Sequence, residues 1–98
     1  MDALPYEPLE LVAIDPARNV RRRWSVVAAR DLFGAVVVET GWGRIGARGR
    51  TLACAFADED AALAHVRALL ARRAGAVRRI GVGYVTARDN AGGTSLLA

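Results

Sequence analysis

The stretch from Ala35 to Ala57 constrains this chain most, because two strand-like runs there are joined by a turn with a glycine at each edge. Ala35 to Ile45 centres on Val36, Val37 and Val38, β-branched residues that suit a pleated strand. Gly46-Ala47-Arg48-Gly49 follows, and Arg50 to Ala57 returns with Leu52, Cys54 and Phe56 alternating against Thr51, Ala53 and Ala55. A period of two puts Leu52, Cys54 and Phe56 on one face, toward a core. The pattern predicts a β-hairpin, and whatever else the chain forms must be compatible with an antiparallel sheet.

The flanking segments extend that sheet. Leu9 to Ile14 is a short apolar run closed by the turn signal Asp15-Pro16, and 15–19 reads as a loop. Val20 to Arg30, around Trp24, Val26 and Val27, reads as a second strand, turning at Asp31-Leu32-Phe33-Gly34. After the hairpin, Asp58 is placed to cap a helix whose first turn holds Glu59 and Asp60, where negative charge suits the helix dipole. Ala62, Leu63, Val66, Leu69 and Leu70 recur at helical spacing; Arg72 and Arg73 occupy the last turn and Gly75 marks the stop, giving a helix over 59–74. Residues 79–86 are expected to add a final strand.

The expected architecture is α+β: a single antiparallel sheet of four to five strands packed against one α-helix. Residues 1–8, with Pro5 and Pro8, form an irregular lead; 9–86 form the domain; 87–98 form a flexible tail. The second sheet face has no covering element in this scheme. It is solvated, or it seats a ligand or a second copy.

The hairpin carries an internal conflict. With Ala47 and Arg48 as a two-residue loop, Trp42 and Arg44 share a face with Val36, Val38, Thr51, Ala53 and Ala55. The opposite face then carries Leu52, Cys54 and Phe56 together with Glu39, an awkward core residue. A bulge between Glu39 and Trp42 would reverse the phase and is the expected remedy.

Charge narrows the function classes. The net charge is +4, and residues 18–57 concentrate Arg18, Arg21, Arg22, Arg23, Arg30, Arg44, Arg48 and Arg50 against Asp31 and Glu39. Such a basic middle suits phosphate, although every basic residue being arginine also fits a simple compositional bias. No apolar run is long enough to span a bilayer, and the acidic opening Met1-Asp2-Ala3-Leu4-Pro5 does not resemble a signal peptide. With a lone Cys54, these features point to the cytoplasm. One cysteine and one His65 leave too little for a metal site; neither a cofactor nor a small-molecule substrate is expected. No nucleophile–base set or carboxylate pair is apparent, so no catalytic residue is expected. Gly81 and Gly83 are not followed by a clear helix and make a poor phosphate loop.

At Trp42-Gly43-Arg44-Ile45-Gly46 the chain resembles the WGR domain family, and the likeness extends in order along 9–86. It runs through Arg22-Arg23-Trp24, Asp31-Leu32-Phe33-Gly34, Val36 to Val38, the signature, Gly49-Arg50, Phe56, the alanine-rich stretch Ala61 to Leu70, and Gly83-Tyr84. The family accompanies the catalytic region of poly(ADP-ribose) polymerases and also occurs as small stand-alone bacterial proteins. In the polymerases it binds DNA at strand breaks. The resemblance therefore implies a DNA-binding module, for ends or nicks, that is not itself an enzyme. By the same resemblance Trp42 packs on a terminal sugar, Arg44 couples binding to neighbouring domains, Arg21 and Arg22 contact phosphate, and Tyr84 lies near the strand end.

The residues themselves leave two readings. Trp42 and Arg44 are two apart on a strand, so a flat indole and a guanidinium emerge together, suited to a sugar or base and the adjacent phosphate. Alternatively Trp42 anchors a small core and Arg44 pairs with Glu39 or a carbonyl. Arg48 and Arg50 flank the hairpin tip, placed for phosphate or simply solvated. Trp24 and Cys54 read as core, and His65 has no partner suggesting catalysis. A protein-partner or homodimerisation module is the competing function.

Overall fold

Branched and aromatic residues build the strands where their alternation predicts. In the computed structural model, which describes residues 3–87 (Arg79 by its backbone alone), these are β1 (Leu9–Asp15), β2 (Val20–Arg30), β3 (Val36–Arg44) and β4 (Arg50–Phe56), with a two-residue β5 (Val85–Thr86). They form one antiparallel sheet in the order β4-β3-β2-β1-β5. The helix α1 (Glu59–Ala74) covers one face, and a short α2 (Ala76–Ile80) follows it. The fold class is the expected α+β arrangement.

Antiparallel partners share a face, so the register assigns every strand residue a side. The covered side reads across β2, β3 and β4 as Arg30–Val36–Phe56, Ala28–Val38–Cys54, Val26–Thr40–Leu52 and Trp24–Trp42–Arg50. Val26, Ala28, Val36, Val38 and Trp24 are buried there against Ala62 and Val66 of α1. Val26, Val36, Val38 and Val66 are fully buried, each contributing about 1.5–3 kcal/mol through lost water contact. Cys54 and Phe56 line the margin of this core, and the Phe56 ring packs on His65, centroids 5.0 Å apart.

Two turns and a helix cap fix the connections. A 3-10 turn, Pro16–Arg18, ends at Asn19 in the left-handed conformation. Between β2 and β3, Asp31 Oδ1 accepts hydrogen bonds from the Phe33 and Ala35 amides at 2.8 and 2.9 Å, and the Asp31 amide donates to the Ala35 carbonyl. Arg30 donates to the Gly34 carbonyl and pairs with Glu59, tying this turn to the start of α1. Asp58 caps α1 as expected, accepting from the Ala61 amide at 2.8 Å.

Three expectations are corrected. No bulge lies between Glu39 and Trp42: β3 pairs without interruption with β2 over Val36 to Arg44 and with β4 over Val36 to Trp42. The phase conflict dissolves because Trp42 pairs with Arg50, leaving a loop longer than two residues. That register puts Val36, Val38, Trp42 and Arg44 on the same side as Leu52, Cys54 and Phe56, and sends Glu39 to the side away from α1, exposed. The final strand over 79–86 shrinks to Val85–Thr86, because Gly75 is not left-handed and the chain resumes as α2 until Gly81, whose amide donates to the Val77 carbonyl. The tail expected over 87–98 lies, beyond Ala87, outside the described residues. Among the described residues, no helix is long and apolar enough to cross a membrane.

Candidate nucleic-acid interface

The covered face of the sheet outruns its helix. The pairing of Glu59 with Arg30 sets the start of α1 at one end of β2, and its last turn reaches Trp24 near the other. Beyond that point the rows continue into Trp24–Trp42 and then Arg22–Arg44. Trp24 is 2% exposed under the helix, whereas its cross-strand partner Trp42 is 38% exposed. One indole is core and the other stands where the cover ends.

A concavity of about 530 Å³ opens here. Arg22, Trp42 and Arg44 of the sheet line it together with Arg18 and Asn19 of the β1–β2 turn, Arg73 of α1 and Tyr84. Arg73 is held between aromatic rings, its guanidinium carbon 5.3 Å from the Trp24 ring centre and 6.0 Å from that of Tyr84. Among the described residues, six arginines line the hollow and no carboxylate does, so its lining is basic. Arg22 and Arg44 are direct cross-strand partners, an arrangement of like charges that disfavours the sheet by up to about 1 kcal/mol.

The arginines differ in what they hold. Arg44 donates through Nη2 to the Asn19 side-chain oxygen at 2.8 Å and through Nη1 to the Asn19 carbonyl at 3.3 Å. Arg18 forms an ion pair with Asp15 at 2.8 Å and donates to the Ile80 carbonyl, so part of its charge is balanced. Arg23 points to the side away from α1 and donates to the carbonyls of Ala47 and Arg48 at 2.8 and 2.6 Å, fastening the β3–β4 loop.

Of the residues that the sequence points to, Arg22, Trp42, Arg44 and Tyr84 meet in this hollow. Arg21 also lines it, although its pairing with Ile14 turns it to the other side of the sheet. Arg50 neighbours Trp42 from β4, and Arg48 sits exposed at the hairpin tip; neither lines the concavity. Of the two readings of Arg44, the partner it takes is a carbonyl and an amide rather than Glu39. Sequence reasoning does not reach Arg73, Arg18 or Asn19 as site residues. Arg73 has a signal: it continues the stripe Ala62, Val66, Leu69 one turn further and must therefore face the sheet.

The WGR domain profile matches residues 8–77. The chain belongs to the WGR domain family. The matched span holds Arg22, Trp42, Arg44 and Arg73 and ends before Tyr84. The family includes nucleic-acid-binding modules of poly(ADP-ribose) polymerases, and the WGR domain alone is non-catalytic. An uncharacterised protein of Sinorhizobium fredii, y4dW, is 33% identical over 63 residues, covering 64% of this chain and 30% of that protein. This WGR chain thus matches under a third of the length of that curated relative. No solved structure matches it.

Proposed function

We propose that this WGR domain binds nucleic acid, DNA at an end or nick, through the Trp42–Arg44 face, and that it performs no catalysis of its own. The observation that carries the reading is the opposed pair Arg22–Arg44 beside a half-exposed indole, in a hollow that no carboxylate lines among the described residues. A sheet tolerates such a pair where something else benefits, and phosphate is the ligand whose geometry matches arginine. Trp42 supplies a flat surface for a sugar or base at an interrupted strand, and Arg22 and Arg44 take the phosphates beside it. Arg73 and Tyr84 line the same hollow, and Arg21, Arg48 and Arg50 contribute at the margin. On this reading the protein works in the cytoplasm, where the unpaired Cys54 stays reduced.

Fluorescence anisotropy with nicked, blunt-ended and continuous duplexes tests it. Trp42→Ala should weaken binding to the nicked duplex by about 5- to 150-fold, the range of one lost stacking contact, while leaving binding to continuous duplex nearly unchanged. Equal affinity of wild type and Trp42→Ala for all three duplexes would overturn the assignment.

A second reading, contact with a protein partner or a second copy, is favoured by one observation. Leu32 and Phe33 are 99% and 94% exposed at the tip of a turn to which Asp31 and Arg30 are hydrogen-bonded. Adjacent large apolar side chains held clear of their own fold are what a partner's pocket accepts as anchors. This surface lies at the opposite end of β2 and β3 from Trp42, so the two functions do not compete for space.

A further inference from the structure

Asn19 stands out on backbone grounds. It is the sole non-glycine residue with a positive φ, 56°, among the described residues, and its amide donates to the Pro16 carbonyl at 3.1 Å. Glycine fits that conformation at least as well, and asparagine and aspartate are the side chains that tolerate it best. Turn geometry alone therefore does not select asparagine. Its side chain does something separate from the turn. Oδ1 accepts from Arg44 Nη2 at 2.8 Å while the backbone carbonyl of the same residue accepts from Nη1 at 3.3 Å. One residue thus accepts hydrogen bonds from both terminal nitrogens of the guanidinium. Three of the five guanidinium N–H groups remain for a ligand.

The chemistry of the grip is as telling as its geometry. A carboxylate at position 19 would hold an arginine more strongly, but it would also cancel the charge. Four residues earlier in the same turn, Asp15 does take an arginine, Arg18, through Nε at 2.8 Å. The turn therefore sorts its acceptors: the carboxylate goes to Arg18, which also staples the turn to the Ile80 carbonyl, and the neutral amide goes to Arg44.

We infer that Asn19 is a positioning residue that aims the Arg44 guanidinium at a phosphate of bound nucleic acid while leaving its full positive charge available. The inference rests on the nucleic-acid reading above for its ligand, and on the free protein for its mechanism. Orienting the long side chain beforehand removes part of the ordering cost that binding would otherwise carry.

Two variants separate charge from orientation. Asn19→Asp keeps the left-handed conformation and the acceptor but neutralises Arg44; Asn19→Gly keeps the backbone and releases the guanidinium. Nitrogen-15 NMR of the Arg44 side chain in the free protein should show hindered rotation in wild type and Asn19→Asp, and fast rotation in Asn19→Gly. With a nicked duplex over a salt series, Asn19→Asp should bind about tenfold more weakly with a salt slope reduced by about 0.9, one phosphate contact. Asn19→Gly should bind about threefold more weakly with the slope unchanged. Thermal melts of both variants identify any loss that is merely unfolding.

Free rotation of Arg44 in wild type, or an Asn19→Asp protein with wild-type affinity and slope, would overturn the inference. A wild-type protein that binds no duplex would overturn the nucleic-acid reading instead, and the free-protein NMR would still decide whether Asn19 holds Arg44.

Discussion

Gly43 and Gly49 face each other across the start of the β3–β4 loop, and contact dictates both. A Cβ on Gly43 would sit 2.7 Å from the Gly49 Cα, and one on Gly49 would overlap the Trp42 carbonyl oxygen and the Arg23 guanidinium. The WGR glycine is thus needed for the close approach that lets Arg23 reach the loop carbonyls. Gly46 has a positive φ but nothing within 4 Å of an added Cβ. Gly49→Ala should therefore destabilise by more than about 2 kcal/mol, strain and clash combined, and Gly46→Ala by only about 1 kcal/mol. Urea unfolding of the two variants checks this; equal costs would mean that Gly49 acts through φ alone. At this scale the sequence is informative where spacing decides the matter. Trp42 and Arg44 share a face because they are two apart, and Trp24 is core. That Asn19 reaches Arg44 across 25 positions is not legible, because it depends on how two turns meet.

At the scale of elements, period and caps carry most of the information. β2 and α1 stand where alternation and helical spacing put them. Register does not follow, because it depends on loop length, and an error of an odd number of residues exchanges the two faces of a strand. A two-residue loop produces a conflict at Glu39 that the longer loop removes, without any bulge. The end of α1 is legible for a simple reason, Gly75, but the restart as α2 is not, since a glycine marks a stop only when it turns left-handed. The caps make a testable contrast. Asp58→Ala should cost about 1 kcal/mol through the lost bond to the Ala61 amide. Glu59→Ala, which breaks a pair with both side chains half-exposed, should cost well under 1 kcal/mol. Chemical denaturation resolves the difference, and a larger loss from Glu59→Ala would show that the Arg30 tie, rather than the cap, secures the helix. At the core, Val38→Ala should cost about 2–3 kcal/mol from lost transfer energy and the cavity left under α1.

The molecule as a whole is polar along its strands. The arginine hollow lies at the start of β2 and the end of β3; Leu32 and Phe33 project from the other end, about eight residues or roughly 25 Å away at the usual strand rise. The far end also bears Asp31, Asp58, Glu59 and Asp60 against Arg30, so the acidic residues gather away from the hollow. The double substitution Leu32→Ser with Phe33→Ser should leave stability within about 0.5 kcal/mol of wild type, since these side chains contribute little to the fold, and should leave duplex affinity unchanged. Light scattering over a concentration range then reads the second function: a mass above the monomer that the double variant abolishes would place a second copy on this tip.

The most direct test of the central claim is the salt dependence of binding to a nicked duplex. If Arg22 and Arg44 each neutralise one phosphate, the logarithm of the association constant should fall with the logarithm of salt concentration at a slope of about −1.8 or steeper. Arg22→Ala or Arg44→Ala should each reduce that slope by about 0.9, and the nicked duplex should outcompete the continuous one. Binding that is insensitive to salt, or a slope untouched by either substitution, would contradict the account.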